Sequence, residues 1–170
     1  MYWKWAAVEL YEAYRHICAY SCMYIPIGPG TIDHFQPKTK YPATAFEWGN
    51  FRLALHKMNT NKGDNENIID PFLVQPGWFV LDFPSCLVRP GDGLEDKLRV
   101  QIENSIQVLK LNKDDGLVQE RCDIMVMFSQ GEVRLAFLEK RYPFLAVEIV
   151  RQAIQSTAHE IFKKPGTIKR

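Results

Sequence analysis

The stretch from Thr31 to Asp64 constrains the fold most, because breakers cut it into pieces too short for anything larger than a strand–strand–helix unit. Thr31–Phe35 (TIDHF) is a β-prone run, and Pro37 stops it. Gln36–Gly49 is a polar loop with Pro42 inside it. Asn50–Ala54 (NFRLA) alternates in the manner of a second short strand. His56–Lys62 contains no breaker, and Gly63 supplies a helix stop. The pattern predicts strand, long loop, strand, short helix.

The flanks read as mostly helical. Ala6, Ala7, Leu10, Ala13, Tyr14 and Ile17 recur at helical spacing and predict an N-terminal helix over residues 5–18. Pro26, Gly28, Pro29 and Gly30 then turn the chain. Trp78–Phe83 is a β-prone run, with Pro84, Pro90, Gly91 and Gly93 marking a loop after it. Leu94–Leu111, Leu117–Phe128 and Phe144–Phe162 predict helices, and Lys163–Arg170 forms a basic tail. No linker rich in Pro, Gly or Ser divides the chain, so residues 1–170 are expected to form one domain. Its class is α+β, with a ββα core at about 30–64 between the N-terminal helix and a helical part at about 94–162. A domain of this length buries roughly 70% of its unfolded surface and folds without structural metal or disulfides.

Charge narrows the functional classes. The 21 Lys and Arg residues nearly balance 20 Asp and Glu, for a net charge of +1. Coating of nucleic acid by bulk charge is excluded, and a nucleic-acid site has to be a local patch. Lys38, Lys40, Arg52, Lys57 and Lys62 crowd around the ββα segment and offer such a patch. His56, one turn from Asn59 on the same helix face, is expected either to support the site residues from behind or to donate to phosphate. Cys18, Cys22, Cys86 and Cys122 are irregularly spaced, and Met1–Leu10 lacks the basic-then-apolar order of a secretory leader. The thiols are therefore expected to be reduced, apolar fillers in a cytoplasmic protein. No apolar window is long enough to cross a membrane. Trp48 and Phe51 are expected in the core.

The polar residues of the ββα segment suit one chemistry. The Asp33 carboxylate and the Asn59 amide oxygen are hard oxygen donors that favour Mg²⁺ or Mn²⁺. His34, left unligated, is the residue type that serves as a general base near neutrality. Asn50 opens the second strand after a loop that needs pinning, and Lys62 follows Asn59 by one helical turn. Together they point to metal-assisted phosphodiester hydrolysis. Asn61 is the alternative ligand to Asn59.

These residues resemble the HNH endonuclease family, the ββα-metal nucleases. The family pattern is an acid–His pair, an Asn at the start of the second strand, and a His or Asn on the helix followed three residues later by Lys. Here those positions are Asp33-His34, Asn50, Asn59 and Lys62. The wider DHF-x-PK and EW-x-N strings are similar to those of a bacterial subfamily. The resemblance implies that Asp33 and Asn59 hold the metal, that His34 is the general base, and that Asn50 orients it through the loop. It implies DNA as substrate, a protein partner such as an ATPase or sensor subunit in anti-phage defence, and an oligomer or successive nicks for double-strand cleavage. Many members carry a Cys-x-x-Cys pair where this chain has Leu55 and Met58, so structural zinc is not expected. Two other functions fit the same residues: an RNase, and a non-catalytic binding or assembly module retaining a relic motif.

Overall fold

The computed structural model describes residues 2–28 and 30–162. The basic tail at 163–170 lies outside the described residues. The fold is α+β: α1 (Tyr2–Ala13), β1 (Gly30–His34), β2 (Phe51–Leu55), α2 (His56–Lys62), β3 (Phe79–Leu81), β4 (Val88–Pro90), α3 (Asp96–Val108), α4 (Asp115–Ser129), α5 (Leu135–Arg141), α6 (Pro143–Arg151) and α7 (Ala158–Ile161). The strands form two separate antiparallel pairs, β1–β2 and β3–β4.

The strand–loop–strand–helix unit stands where the sequence predicts it. β1 and β2 pair without a bulge from Gly30 opposite Leu55 to His34 opposite Phe51. Residues directly opposite share a face, so Asp33 lies with Arg52 on one side and His34 with Phe51 on the other. α2 follows β2 at once and packs on both strands. It ends at Gly63, whose φ of +50° is the left-handed conformation that favours glycine. Met58, fully buried, anchors its inner face.

Four expectations need correction. α1 stops at Ala13 and does not run to Cys18, because Arg15 and His16 take left-handed backbone conformations. The chain then turns back on itself through an Ile17–Tyr24 bridge, and Ala19 N–H donates to the Leu53 carbonyl of β2 at 2.8 Å. The loop after β3 contains β4, which ends on Pro90, a strand terminus where a missing N–H is tolerated. The helix expected over 144–162 is two helices, α6 and α7, parted by a segment in which Ala153 has φ +54°. Trp48 is 45% exposed and meets the buried Phe51 edge-on, so only Phe51 belongs to the core.

One hydrophobic core joins the two halves. Leu10, Ile25, Leu53 and Met58 from the ββα side pack with Leu81, Ile102, Leu117, Met125, Leu138 and Ile149 from the remainder. Cys18 and Cys86 are buried in it, and all four cysteines are free thiols. No helix among the described residues is long and apolar enough to cross a membrane.

Candidate functional site

A cleft of about 520 Å³ opens where β1 ends against α2. Asp33, His34 and Asn59 all line it, with Thr31, Lys38 and Asp64. Strand alternation sets Asp33 and His34 on opposite faces, but His34 is the last residue of β1, and both reach the cleft at the strand end.

The His34 ring is held by its Nε2, 2.9 Å from the Ala45 carbonyl oxygen. A carbonyl only accepts, so in the neutral ring Nε2 carries the hydrogen and Nδ1 the lone pair. The loop that supplies Ala45 is pinned by Asn50, which is 6% exposed. Its Oδ1 accepts from Gln36 N–H at 2.7 Å, and its Nδ2 donates to the carbonyls of Gln36 and Thr44 at 3.0 and 3.1 Å. One amide thus clamps both ends of the loop between β1 and β2, and the carbonyl facing His34 is the residue after Thr44. Outer contacts brace the loop further: Lys40 pairs with Glu66 at 2.7 Å, and the Thr39 hydroxyl donates to Asp64. The hydrogen bond to Glu66 and its charge raise the Lys40 pKa, and hydrogen bonds from Lys40 and Tyr41 lower that of Glu66.

Asp33 is 3% exposed and its charge is answered from behind. The Tyr20 hydroxyl donates to Oδ2, and Lys62 Nζ lies 3.3 Å from the carboxylate. Lys62 completes its donor set on the carbonyls of His34 at 2.8 Å and Gly63 at 3.3 Å. Burial, then the neighbouring Asp33 charge, pushes the Tyr20 phenol far above its usual range, so it stays a donor. Asn59 turns its Nδ2 toward Thr31 Oγ1 and the Ile32 carbonyl, at 3.3 and 3.5 Å, which assigns the amide oxygen to the other end of the group.

The charge patch is smaller than the sequence suggests. Arg52 is 2% exposed and is not a phosphate contact. It forks onto Asp70 through Nε and Nη2 at 2.8–3.1 Å, donates through Nη1 to the Gly49 and Phe51 carbonyls, and stacks on Phe72 at 3.8 Å. Lys62 is likewise buried and spent on Asp33. His56 is exposed at the start of α2 and Lys40 is engaged with Glu66; neither is part of the cleft wall. Lys57 pairs with Asp114 at 3.2 Å, so of the six residues expected to contact phosphate Lys38 alone lines the cleft among the described residues. Asn61, the alternative ligand, donates to the Leu109 carbonyl at 3.3 Å near the end of α3 and does not line the cleft.

The donor set fits a hard divalent cation. A carboxylate has about four lone-pair sites, and Tyr20 and Lys62 leave Asp33 with acceptor capacity on the cleft side. The Asn59 amide oxygen would be the second donor. Among the described residues no group of three His, Cys, Asp or Glu side chains converges, so a cation here would have one carboxylate and one amide oxygen from the chain. Sequence reasoning missed Tyr20 and Asp64 at this site. Tyr20 sits in a turn 13 residues before Asp33, and no spacing rule links the two. No family model and no curated protein matches the chain.

Proposed function

We propose that the cleft hydrolyses phosphodiester bonds as an HNH-type, metal-dependent endonuclease acting on DNA. The observation that carries this reading is the convergence of Asp33, His34 and Asn59 on one cleft, with the His34 ring fixed through the loop that Asn50 clamps. Asp33 and Asn59 would hold Mg²⁺ or Mn²⁺, which when bound supplies Lewis-acid stabilisation of the scissile phosphate and the leaving oxygen. His34 takes the proton of the attacking water through Nδ1 while the Ala45 carbonyl holds the opposite edge of the ring. Lys38 at the rim meets a phosphate oxygen. With so few free cations in the cleft wall, affinity and specificity for a long polyanion come from a protein partner such as an ATPase or sensor subunit, or from a second copy of the chain. The free thiols suit a reducing, cytoplasmic setting.

A second reading, a non-catalytic module, is favoured by the Asp33–Lys62 pair, which already neutralises the acid and gives it a structural role. Nicking of supercoiled plasmid with Mg²⁺ separates the two. On the nuclease reading His34→Ala loses roughly 10²–10⁴-fold in rate, EDTA abolishes nicking, and Asn59→Ala weakens Mn²⁺ binding measured by calorimetry. Equal nicking by wild type and His34→Ala overturns it. An RNA substrate run in parallel decides which polymer is cut.

A further inference from the structure

A second cavity, of about 380 Å³, lies between the turn after α1, β3, α3, α4 and α6, on the far side of Tyr20 from the cleft. That volume is within the range of small-molecule sites. Phe79, Leu109, Leu111 and Phe144 give it an apolar wall. Two polar groups in that wall are not explained by the fold. The Ser21 hydroxyl is buried and has no hydrogen-bond partner among the described residues. Arg121 is 3% exposed, yet it forms no ion pair among the described residues.

The chain treats its other buried charges differently. Arg52 has Asp70 and Lys62 has Asp33. Glu148, also in the cavity wall, has Arg151 at 2.6 Å together with Leu81 N–H and Gln152. Among the described residues Arg121 donates to two carbonyls, those of Cys86 and Leu111, each at 2.8 Å. Burial pulls its pKa below the usual arginine value. A desolvated cation without a counter-ion is costly, and a ligand carboxylate relieves that cost. A guanidinium with no carboxylate in ion-pair contact among the described residues, Asp114 and Glu120 acting on it only at longer range, matches one negative charge, and the apolar wall matches a hydrocarbon or aromatic body and not a polyphosphate. Val147 and Val74 line the cavity while 51% and 38% exposed, so entry is from their side.

We propose that this cavity binds a small amphipathic monoanion, an apolar body bearing one carboxylate, with the carboxylate paired to Arg121 and the Ser21 hydroxyl available to a ligand polar atom. The site stands independently of the nuclease reading.

The test uses the full chain, with decanoate and decan-1-ol as probes of equal length and different charge. Both are titrated against the protein with bound anilinonaphthalene sulfonate, and thermal unfolding is followed in parallel. Decanoate is expected to displace the dye saturably and raise the melting temperature, and decan-1-ol to bind about 10-fold more weakly or worse. Arg121→Met is expected to erase the preference for the anion. Because Arg121 also holds two carbonyls, Val147→Trp at the mouth is the second variant: it leaves Arg121 in place and is expected to block decanoate. Equal binding of acid and alcohol, no saturable decanoate binding below about 1 mM, or unchanged binding by a folded Val147→Trp protein each overturns the proposal.

Discussion

Removing the Asn50 side chain is the most informative perturbation of the ββα unit. Asn50→Ala deletes three hydrogen bonds, at 2.7, 3.0 and 3.1 Å, and a longer one to the Thr44 hydroxyl at 3.4 Å, that together pin the β1–β2 loop. Each contributes about 0.5–1.5 kcal/mol net, and a buried group left without a partner costs about 1–3 kcal/mol. Gln36 is exposed, so water replaces part of what is lost there, and the sum settles at about 2–3 kcal/mol. For a domain of this size that is a fall in melting temperature of roughly 4–12 °C. The assay is urea unfolding by tryptophan fluorescence, with hydrogen exchange to localise the loosening. Exchange should rise across residues 36–50 and leave α3 and α4 unchanged. Asn50→Asp sharpens the test. It keeps the acceptor for Gln36 N–H but sets carboxylate oxygen against the Gln36 and Thr44 carbonyls, so it should destabilise at least as much as alanine. An Asn50→Ala protein that loses less than about 0.5 kcal/mol, with unchanged exchange in the loop, would refute the clamp. An Asp variant close to wild type would refute the orientation of the amide.

Other perturbations follow from the same contacts. Arg52→Met should cost about 3–5 kcal/mol, towards the lower end because Asp70 keeps some access to water, and should leave polyanion binding by the folded fraction unchanged; a weakened binding slope against salt with intact stability would return Arg52 to the phosphate patch. Gly91→Ala places a Cβ 1.9 Å from the Gly77 carbonyl oxygen, which is backbone and cannot swing away; about 2–3 kcal/mol of destabilisation is expected by denaturant titration, with rupture of the Gly91 N–H bond to Trp78. Burial alone raises the Glu148 carboxyl, but hydrogen bonds from Arg151, Leu81 N–H and Gln152 outweigh it and hold the group below its ordinary value. A depressed acid contributes stability that is present above the ordinary pKa of about 4.3 and lost as pH falls through the folded value. Stability of wild type should therefore fall more steeply than that of Glu148→Gln as pH drops below about 4.3.

The elements legible in the sequence are those with local punctuation. Gly63 ends α2 because the helix needs a left-handed residue there, and Pro37 and Pro42 keep the loop out of the sheet. Where the backbone turns left-handed at an ordinary residue, the sequence is silent: Arg15 and His16 end α1, and Ala153 parts α6 from α7. Helical periodicity continues through both breaks, because it records which side is apolar and not where the chain bends. β4 was obscured by its own Pro90 and the glycines after it, although a proline at a strand end removes no ladder bond the sheet requires.

The candidate site divides along the same line. That Asp33, His34 and Asn59 come to one cleft and that Asn50 pins the loop follows from strand, loop and helix positions close in sequence. Cations counted near the motif were misleading because a charge on a strand or helix has two possible faces, and only its partner decides which. Arg52 finds Asp70 18 residues on, and Lys62 finds Asp33 29 residues back. Those pairings have a chemical consequence for the cleft. With Lys62 satisfied at its back, Asp33 brings little net negative charge to its surroundings, and a divalent ion there must compete with an ammonium for the same carboxylate. On the proposed nuclease reading, cation affinity would then rest heavily on the Asn59 oxygen and on the substrate phosphate itself. Mn²⁺ binding should accordingly be weak to the free protein and tighten when a DNA phosphate occupies the cleft, measured by calorimetry with and without a cleavage-resistant oligonucleotide. Tight binding to the free protein, undisturbed by Asn59→Ala, would show that the cation sits elsewhere.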